Sequence, residues 1–245
     1  MIPPRLIPVL LIDRDRRLVK TVGFGQRTYI GDPLNIIRLF NEKEVDEICV
    51  LDIDATQDGR QPDFAFIAAL AAECFMPLSY GGGISNLDHA RQLIALGIEK
   101  LVLRSHASDD LIASISHEFG NQAVVGCLDY RETSQGRVVF PSGVPLGVAA
   151  ERLANAGVGE LILQSTDRDG TRIGMDVKGI AETASQLSVP VIALGGAGEV
   201  ADFDSVLAAG ADAVASGSAF CFIGRLRAVL VTYPEYTDRL KVVAP

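Results

Sequence analysis

Eight short apolar runs, rich in Val, Ile and Leu, recur along the 245-residue chain at residues 6–12, 47–53, 77–80, 100–103, 123–128, 160–164, 190–194 and 213–215. A strand with one wet face alternates apolar and polar residues. These runs scarcely alternate, which is the pattern of parallel strands covered on both sides. Longer stretches with helical spacing lie between most of them, including residues 33–43, 63–74, 87–96, 145–156 and 177–186. Strand and helix alternating eight times predicts a (β/α)8 barrel, with an open doubly wound sheet as the rival.

The chain also resembles itself at an offset of about 114 residues. Pro77-Leu-Ser-Tyr-Gly-Gly-Gly-Ile answers to Pro190-Val-Ile-Ala-Leu-Gly-Gly-Ala-Gly, and Ala95-Leu-Gly-Ile-Glu-Lys-Leu-Val to Ala208-Ala-Gly-Ala-Asp-Ala-Val-Ala. Solenoid repeats are far shorter. The offset favours a single α/β (TIM) barrel domain over 1–245, built from two similar half-barrels, about 1–120 and 121–245.

Composition narrows the function classes. With 48% hydrophobic and 22% charged residues the chain can bury a large core. A formal net charge of -9 argues against nucleic acid or an anionic membrane as partner. No apolar run approaches a membrane span of roughly 18 residues, and the stretch from Met1 to Arg5 does not read as a signal peptide. The cysteines, Cys49, Cys74, Cys127 and Cys221, are scattered without a CxxC pair and read as buried thiols in a reducing compartment. A cytoplasmic protein without a metal or bound organic cofactor is expected.

In a barrel of this class the chemistry lies at the C-terminal strand ends. Gly81-Gly82-Gly83 follows the third strand and Gly195-Gly196-Ala197-Gly198 the seventh; Ser105 and Gly217-Ser218 follow the fourth and eighth. Glycine backbones approach anions closely and offer N–H groups, so two phosphate sites on opposite sides of the mouth are expected; tight turns are the plain alternative. Asp13, Asp52, Asp54, Asp129, Asp167 and Asp169 also stand at or past strand ends. Asp129 ends an apolar strand and is the best candidate for proton transfer. Asp52 and Asp169 suit loop-orienting roles equally well. His89 and His117 read as helix-surface residues, and His106 lies near the mouth.

These stretches, with Gly31-Asp32-Pro33, Leu51-Asp52-Ile53, Asp167-Arg168-Asp169-Gly170-Thr171 and Ala209-Gly210-Ala211-Asp212-Ala213, resemble the cyclase subunit of imidazole glycerol phosphate synthase over nearly the whole length. The Asp-Arg-Asp-Gly-Thr stretch separates the chain from the related isomerase barrel. The resemblance implies one phosphate grip at Gly83 and Ser105, and another at Asp169, Gly170, Gly196, Gly217 and Ser218. It implies a ligand-contacting lysine at Lys20, substrate contact at Asp52, and a catalytic role for Asp129. The family's second catalytic aspartate is absent. Its first strand ends Cys-Leu-Asp-Val, whereas this one reads Val9-Leu10-Leu11-Ile12-Asp13. Counting from Arg5 puts Leu11 in the catalytic place; counting back from Lys20 puts Ile12 there. Asp13, on the same face as Leu11, is a candidate substitute, although it would stand roughly 6–7 Å further out. Arg104 replaces a small amide beside Ser105 and would meet a phosphate or a substrate carboxylate.

At the opposite mouth the resemblance implies a ring of four charges, Arg5, Glu47, Lys100 and Glu160, that gates ammonia entering from a glutaminase subunit. Taken singly, each is an ordinary strand-start charge. Three functions follow. The favoured one is the barrel subunit of a glutamine-dependent amidotransferase complex with a changed, phosphorylated or nucleotide-sugar-related acceptor, like paralogues serving amidino-sugar synthesis for surface polysaccharide. The others are the true cyclase/lyase of histidine biosynthesis and a non-catalytic ammonia conduit that activates the glutaminase.

Overall fold

A computed structural model describes residues 3–104, 106–224 and 227–235. Eight parallel strands close into a barrel: β1 (Arg5–Ile12), β2 (Ile48–Asp52), β3 (Leu78–Gly81), β4 (Lys100–Arg104), β5 (Val124–Thr133), β6 (Glu160–Ser165), β7 (Val191–Leu194) and β8 (Ala213–Ser216). Each pairs with its neighbour in sequence, and β8 returns to β1 in the register Arg5↔Ala213 through Pro8↔Ser216. The closed barrel replaces the open-sheet alternative.

Strand alternation sorts the side chains into two cores. On β1, Leu6, Leu10 and Ile12 pack outward beneath the helices, whereas Ile7, Val9 and Leu11 face the barrel interior. Cys49, Val102, Val125, Cys127, Ile162, Ile192, Leu194, Ala213 and Ala215, with Val19 from the segment after β1, complete the inner core. The same odd-numbered parity turns Arg5 inward at the lower rim.

The outer layer contains α1 (Pro33–Glu42), α2 (Phe64–Glu73), α3 (Leu87–Ala95), α4 (Asp109–Phe119), α5 (Leu146–Ala156), α6 (Val177–Ala184) and α7 (Phe203–Ala208). Asp32, Asp63, Asn86, Ser108 and Asp176 cap five of them by accepting a backbone N–H with the side chain, each contributing about 1 kcal/mol.

Among the described residues no α-helix follows β8, so the eighth strand–helix unit predicted from the pattern is not completed there. A short ribbon, Phe222–Ile223 with Ala228–Val229, takes that place. The tail then crosses to the lower rim, where Tyr233 Oη donates to Leu6 O at 2.9 Å. Two further departures lie at the upper rim. Leu18–Thr21 pairs antiparallel with Arg27–Gly31 as a hairpin after β1, and β5 runs on to pair with Gly136–Val139. No helix among the described residues is long and apolar enough to cross a membrane.

Candidate functional site

The C-terminal strand ends surround a cavity of about 730 Å³, floored by Leu11, Leu51, Val102 and Cys127 and walled by Asp52, Arg60, Arg104, His106 and Asp129. Leu11 lines it while Ile12 is packed in the outer core, so of the two alignments Leu11 is the inward residue. No carboxylate stands at that place.

Asp129, 4% exposed, is held by an ion pair with the Arg104 guanidinium. Register explains the pair. Arg104 lies level with Cys127 on β5, and Asp129 is two residues further along the same face, within diagonal reach of a long side chain. Burial pushes the Asp129 carboxyl above the ordinary carboxylate range, and Arg104 draws it back. The sequence pattern aims Arg104 at a substrate; the structure pairs it with Asp129.

Asp13 does not substitute. Its Oδ1 accepts the backbone N–H groups of Asp15 and Arg17 at 3.0 Å each, and its Oδ2 accepts the Arg17 guanidinium at 2.8 and 3.0 Å. It lines neither cavity of the mouth. Asp52 lines the large cavity but also orients a turn, accepting from the backbone of Asp54 and Ala55 at 3.0 and 2.8 Å and pairing with Arg60. Asp54, fully buried, receives both arms of Arg27 at 2.6 Å and thereby ties the hairpin to the end of β2.

The two glycine-lined sites are unequal. Gly83 borders the large cavity with φ of 69°, where a Cβ would stand 2.5 Å from Arg60 O, so the turn itself demands glycine. Its N–H points to Thr56 Oγ1 at 3.4 Å. Ser105, the other member of that grip, lies outside the described residues. The second site, bounded by Lys20, Asp169, Gly170, Gly196, Gly217 and Ser218, encloses about 30 Å³, the space of a single water. The hairpin and Lys20 fill it. Asp169 Oδ2 accepts from Thr21 Oγ1 at 2.8 Å, and a Cβ on Gly217 would lie 2.6 Å from Lys20 Nζ. Lys20 is 5% exposed and donates to Val9 O at 2.5 Å; burial pushes its amine below the usual lysine range.

The histidines need one correction. His89 is not simply a helix-surface residue: Nδ1 lies 3.2 Å from Gly83 O, the ring packs edge-on to Phe64, and it lines the cavity. His106 lines the cavity as well, its imidazole held below the ordinary range by burial and by Arg104. Arg60 and Arg27 went unread because one lies in a loop and the other opens a five-residue hairpin strand, neither long enough to show a period. The four cysteines are free, and burial pushes the Cys49 thiol up to about 12.

At the N-terminal rim the four charges form a closed ring. Arg5 donates to Glu47 at 2.8 Å and to Glu160 at 2.7 Å, and Lys100 Nζ to the same two acids at 2.8 and 3.2 Å. Arg5, Lys100 and Glu160 open β1, β4 and β6, and Glu47 immediately precedes β2. The ring therefore caps the inner apolar core.

The model of the histidine biosynthesis protein family matches residues 5–226. The chain belongs to this family. Within it, the chain is 46% identical over 245 residues to a Pseudomonas aeruginosa protein named as a candidate imidazole glycerol phosphate synthase subunit, hisF2, covering 96% of this chain and 97% of the relative. A Leptospira interrogans protein, named in the same way as HisF, is 42% identical over 250 residues, covering 98% of each. The imidazole glycerol phosphate synthase subunit HisF of Streptomyces griseus is 37% identical over 232 residues, covering 91% of this chain and 92% of the relative. Membership accounts for the barrel.

Proposed function

We propose that this chain is the barrel subunit of a glutamine-dependent synthase, receiving ammonia from a glutaminase subunit docked at its N-terminal face. The relatives named as subunits of imidazole glycerol phosphate synthase support the class. The observation that carries the reading is a contrast between the two mouths. A complete ring of Arg5, Glu47, Lys100 and Glu160 stands at one, and at the other Asp129 shares the cavity with Leu11, where the resemblance implies a second catalytic carboxylate.

Ammonia would pass the ring, cross the apolar interior and emerge beside the glycine turns. The ring must part for it to do so. Ion pairs that are mutually satisfied yet sit at the rim, with Arg5 reaching water, suit this role, because the charges can turn outward to water or to a partner protein as the ring opens. At the mouth, hydrocarbon at Leu11 removes a proton-transfer group from a pair in which each member is worth about 10²–10⁴-fold in rate. The acceptor is therefore not the histidine precursor but another phosphorylated or nucleotide-sugar-related compound, and we assign it to amidino-sugar synthesis.

Two assays test the reading. Glutamine hydrolysis by the glutaminase rises when this chain is added and falls back with Lys100→Ala; hydrolysis that ignores the barrel overturns the conduit. The chain supplied with ammonia and the ribulosyl-formimino aminoimidazole carboxamide phosphate substrate gives no appreciable turnover. Turnover at the rate of a working cyclase would restore the histidine-pathway function instead.

A further inference from the structure

One ion pair in the mouth has no structural duty. Asp13, Asp52, Asp54 and Asp169 spend their carboxylates on turns or on the hairpin. Asp129 accepts no backbone N–H; its partners among the described residues are the Arg104 guanidinium and, at 3.9 Å, the Cys127 thiol. Arg104 in turn donates from one nitrogen to Asp129 and to no other acceptor among the described residues. A guanidinium carries five donors in a flat fork. Most of this one remains free, on a side chain 40% exposed, at the wall of the 730 Å³ cavity.

We propose that Arg104 is the anion receptor of this mouth, and that an acidic group on the ligand, phosphate or carboxylate, draws the guanidinium off Asp129 and frees that carboxylate to accept a proton only when the site is filled. Exchanging one anion for another on Arg104 keeps its charge satisfied, whereas Asp129 loses its counter-ion in a buried place. The groups facing Asp129 then set its proton affinity. Arg104 and His106 approach from β4 and the loop after it, Cys127 from its own strand and Asp169 from the loop after β6, while Leu11 brings no charge from β1. With Arg104 turned to the ligand, desolvation and the Asp169 charge both act toward the protonated form. The base is masked when the cavity is empty and strengthened when it is occupied. This inference rests on the strand-end mouth being the acceptor site, and is independent of the ring: the Lys100→Ala assay reports on the conduit alone, the following titration on Arg104 alone.

The test uses the full chain with ¹³C-labelled aspartate carboxyls, the Asp129 resonance being identified by its loss in Asp129→Asn. Inorganic phosphate is titrated in one arm and acetate in the other, and the tighter of the two distinguishes a phosphate from a carboxylate ligand. Binding of the anion raises the Asp129 titration midpoint in the parent chain. Arg104→Gln weakens anion binding by at least about tenfold, as loss of a charge-assisted hydrogen bond requires, and leaves the midpoint unmoved by anion. Arg104→Lys, which keeps the charge without the fork, binds with intermediate affinity and controls for folding. Equal binding by Arg104→Gln overturns the proposal. So does a midpoint that stays fixed while anion is bound, or failure of the parent chain to bind either anion.

Discussion

Asp13 and Arg17 close on each other across the turn that follows β1, with the carboxylate taking two guanidinium and two backbone hydrogen bonds. The carboxylate nearest in sequence to Leu11 is thus a fixture of the hairpin's entry. Asp13→Ala should lower stability by about 1–2 kcal/mol, the lower end reflecting the exposed guanidinium. Anion binding at the mouth should be unchanged. Urea unfolding and phosphate titration on the same variant check both halves.

Asp54 gives the clearest pH signature. The hydrogen bonds from Arg27 hold its carboxyl at about 2, and burial opposes them. The unfolded value is about 3.9. A depressed folded value means that the unfolded chain binds the extra proton, so the stabilisation is complete above about pH 3.9 and fades as pH falls toward 2. Asp54→Asn should cost about 1–3 kcal/mol at neutral pH, discounted for the partly exposed Arg27, and nearly nothing at the acid end. Urea midpoints of both proteins across that range measure the closing gap.

The barrel was readable because strands covered on both faces must be apolar throughout, and all eight runs became its staves. The hairpin at Leu18–Thr21 was not, since four residues carry too little period to register and Lys20 interrupts them. Candidate residues were readable as positions at strand ends but not as partners. Arg104 meets Asp129 through the β4–β5 register, and Asp13 meets Arg17 through a turn. Neither follows from a pattern along one strand. The ring was legible only through resemblance, because four strand-start charges separated by tens of residues leave no local trace.

The ring's charges should depend on one another. Glu47, 4% exposed at its side chain, accepts from both Arg5 and Lys100. Glu47→Gln leaves Arg5 and Lys100 to share the single charge of Glu160 and should cost about 2–4 kcal/mol, less than a fully buried pair because Arg5 reaches water. Lys100→Met in the same chain should recover part of that loss. A double-mutant cycle by chemical denaturation should show coupling of about 1 kcal/mol or more; additivity would mean that the charges act separately.

Leu11→Asp recreates a carboxylate among Val9, Val19, Leu51 and Leu194, the apolar side chains of the inner core. The new acid stands mainly among hydrocarbon, and Lys20, which lines the smaller cavity with Leu11, already donates to Val9 O, so the substitution should destabilise by about 2–4 kcal/mol. Its carboxyl should titrate above the ordinary range, because desolvation disfavours the charge. The folded chain then holds a proton that the unfolded chain has released, and the loss should deepen as pH rises from 5 to 8 on the order of one pKa unit's worth, about 1.4 kcal/mol per unit. Thermal or urea unfolding of this variant and of Leu11→Asn, which cannot ionise, separates the charge from the polarity.

Lys20 should show stability and binding pulling apart. Its amine is buried, its hydrogen bond goes to Val9 O, and burial pushes its proton affinity down. A base with a lowered folded value is more protonated in the unfolded chain, so the lysine costs stability at neutral pH, and the cost disappears as pH rises toward the unfolded value of about 10.4. Lys20→Met keeps the length and apolar stem that fill the second glycine-lined site and removes the amine. It should therefore gain on the order of 1 kcal/mol at pH 7, with less gain at pH 10. Phosphate affinity should fall in the same protein if the amine turns to a ligand when the hairpin opens. Unfolding curves at the two pH values and a phosphate titration decide it. A variant that is less stable at pH 7 would mean that Lys20 is a supporting strut of the hairpin, and unchanged phosphate affinity would remove it from the binding site.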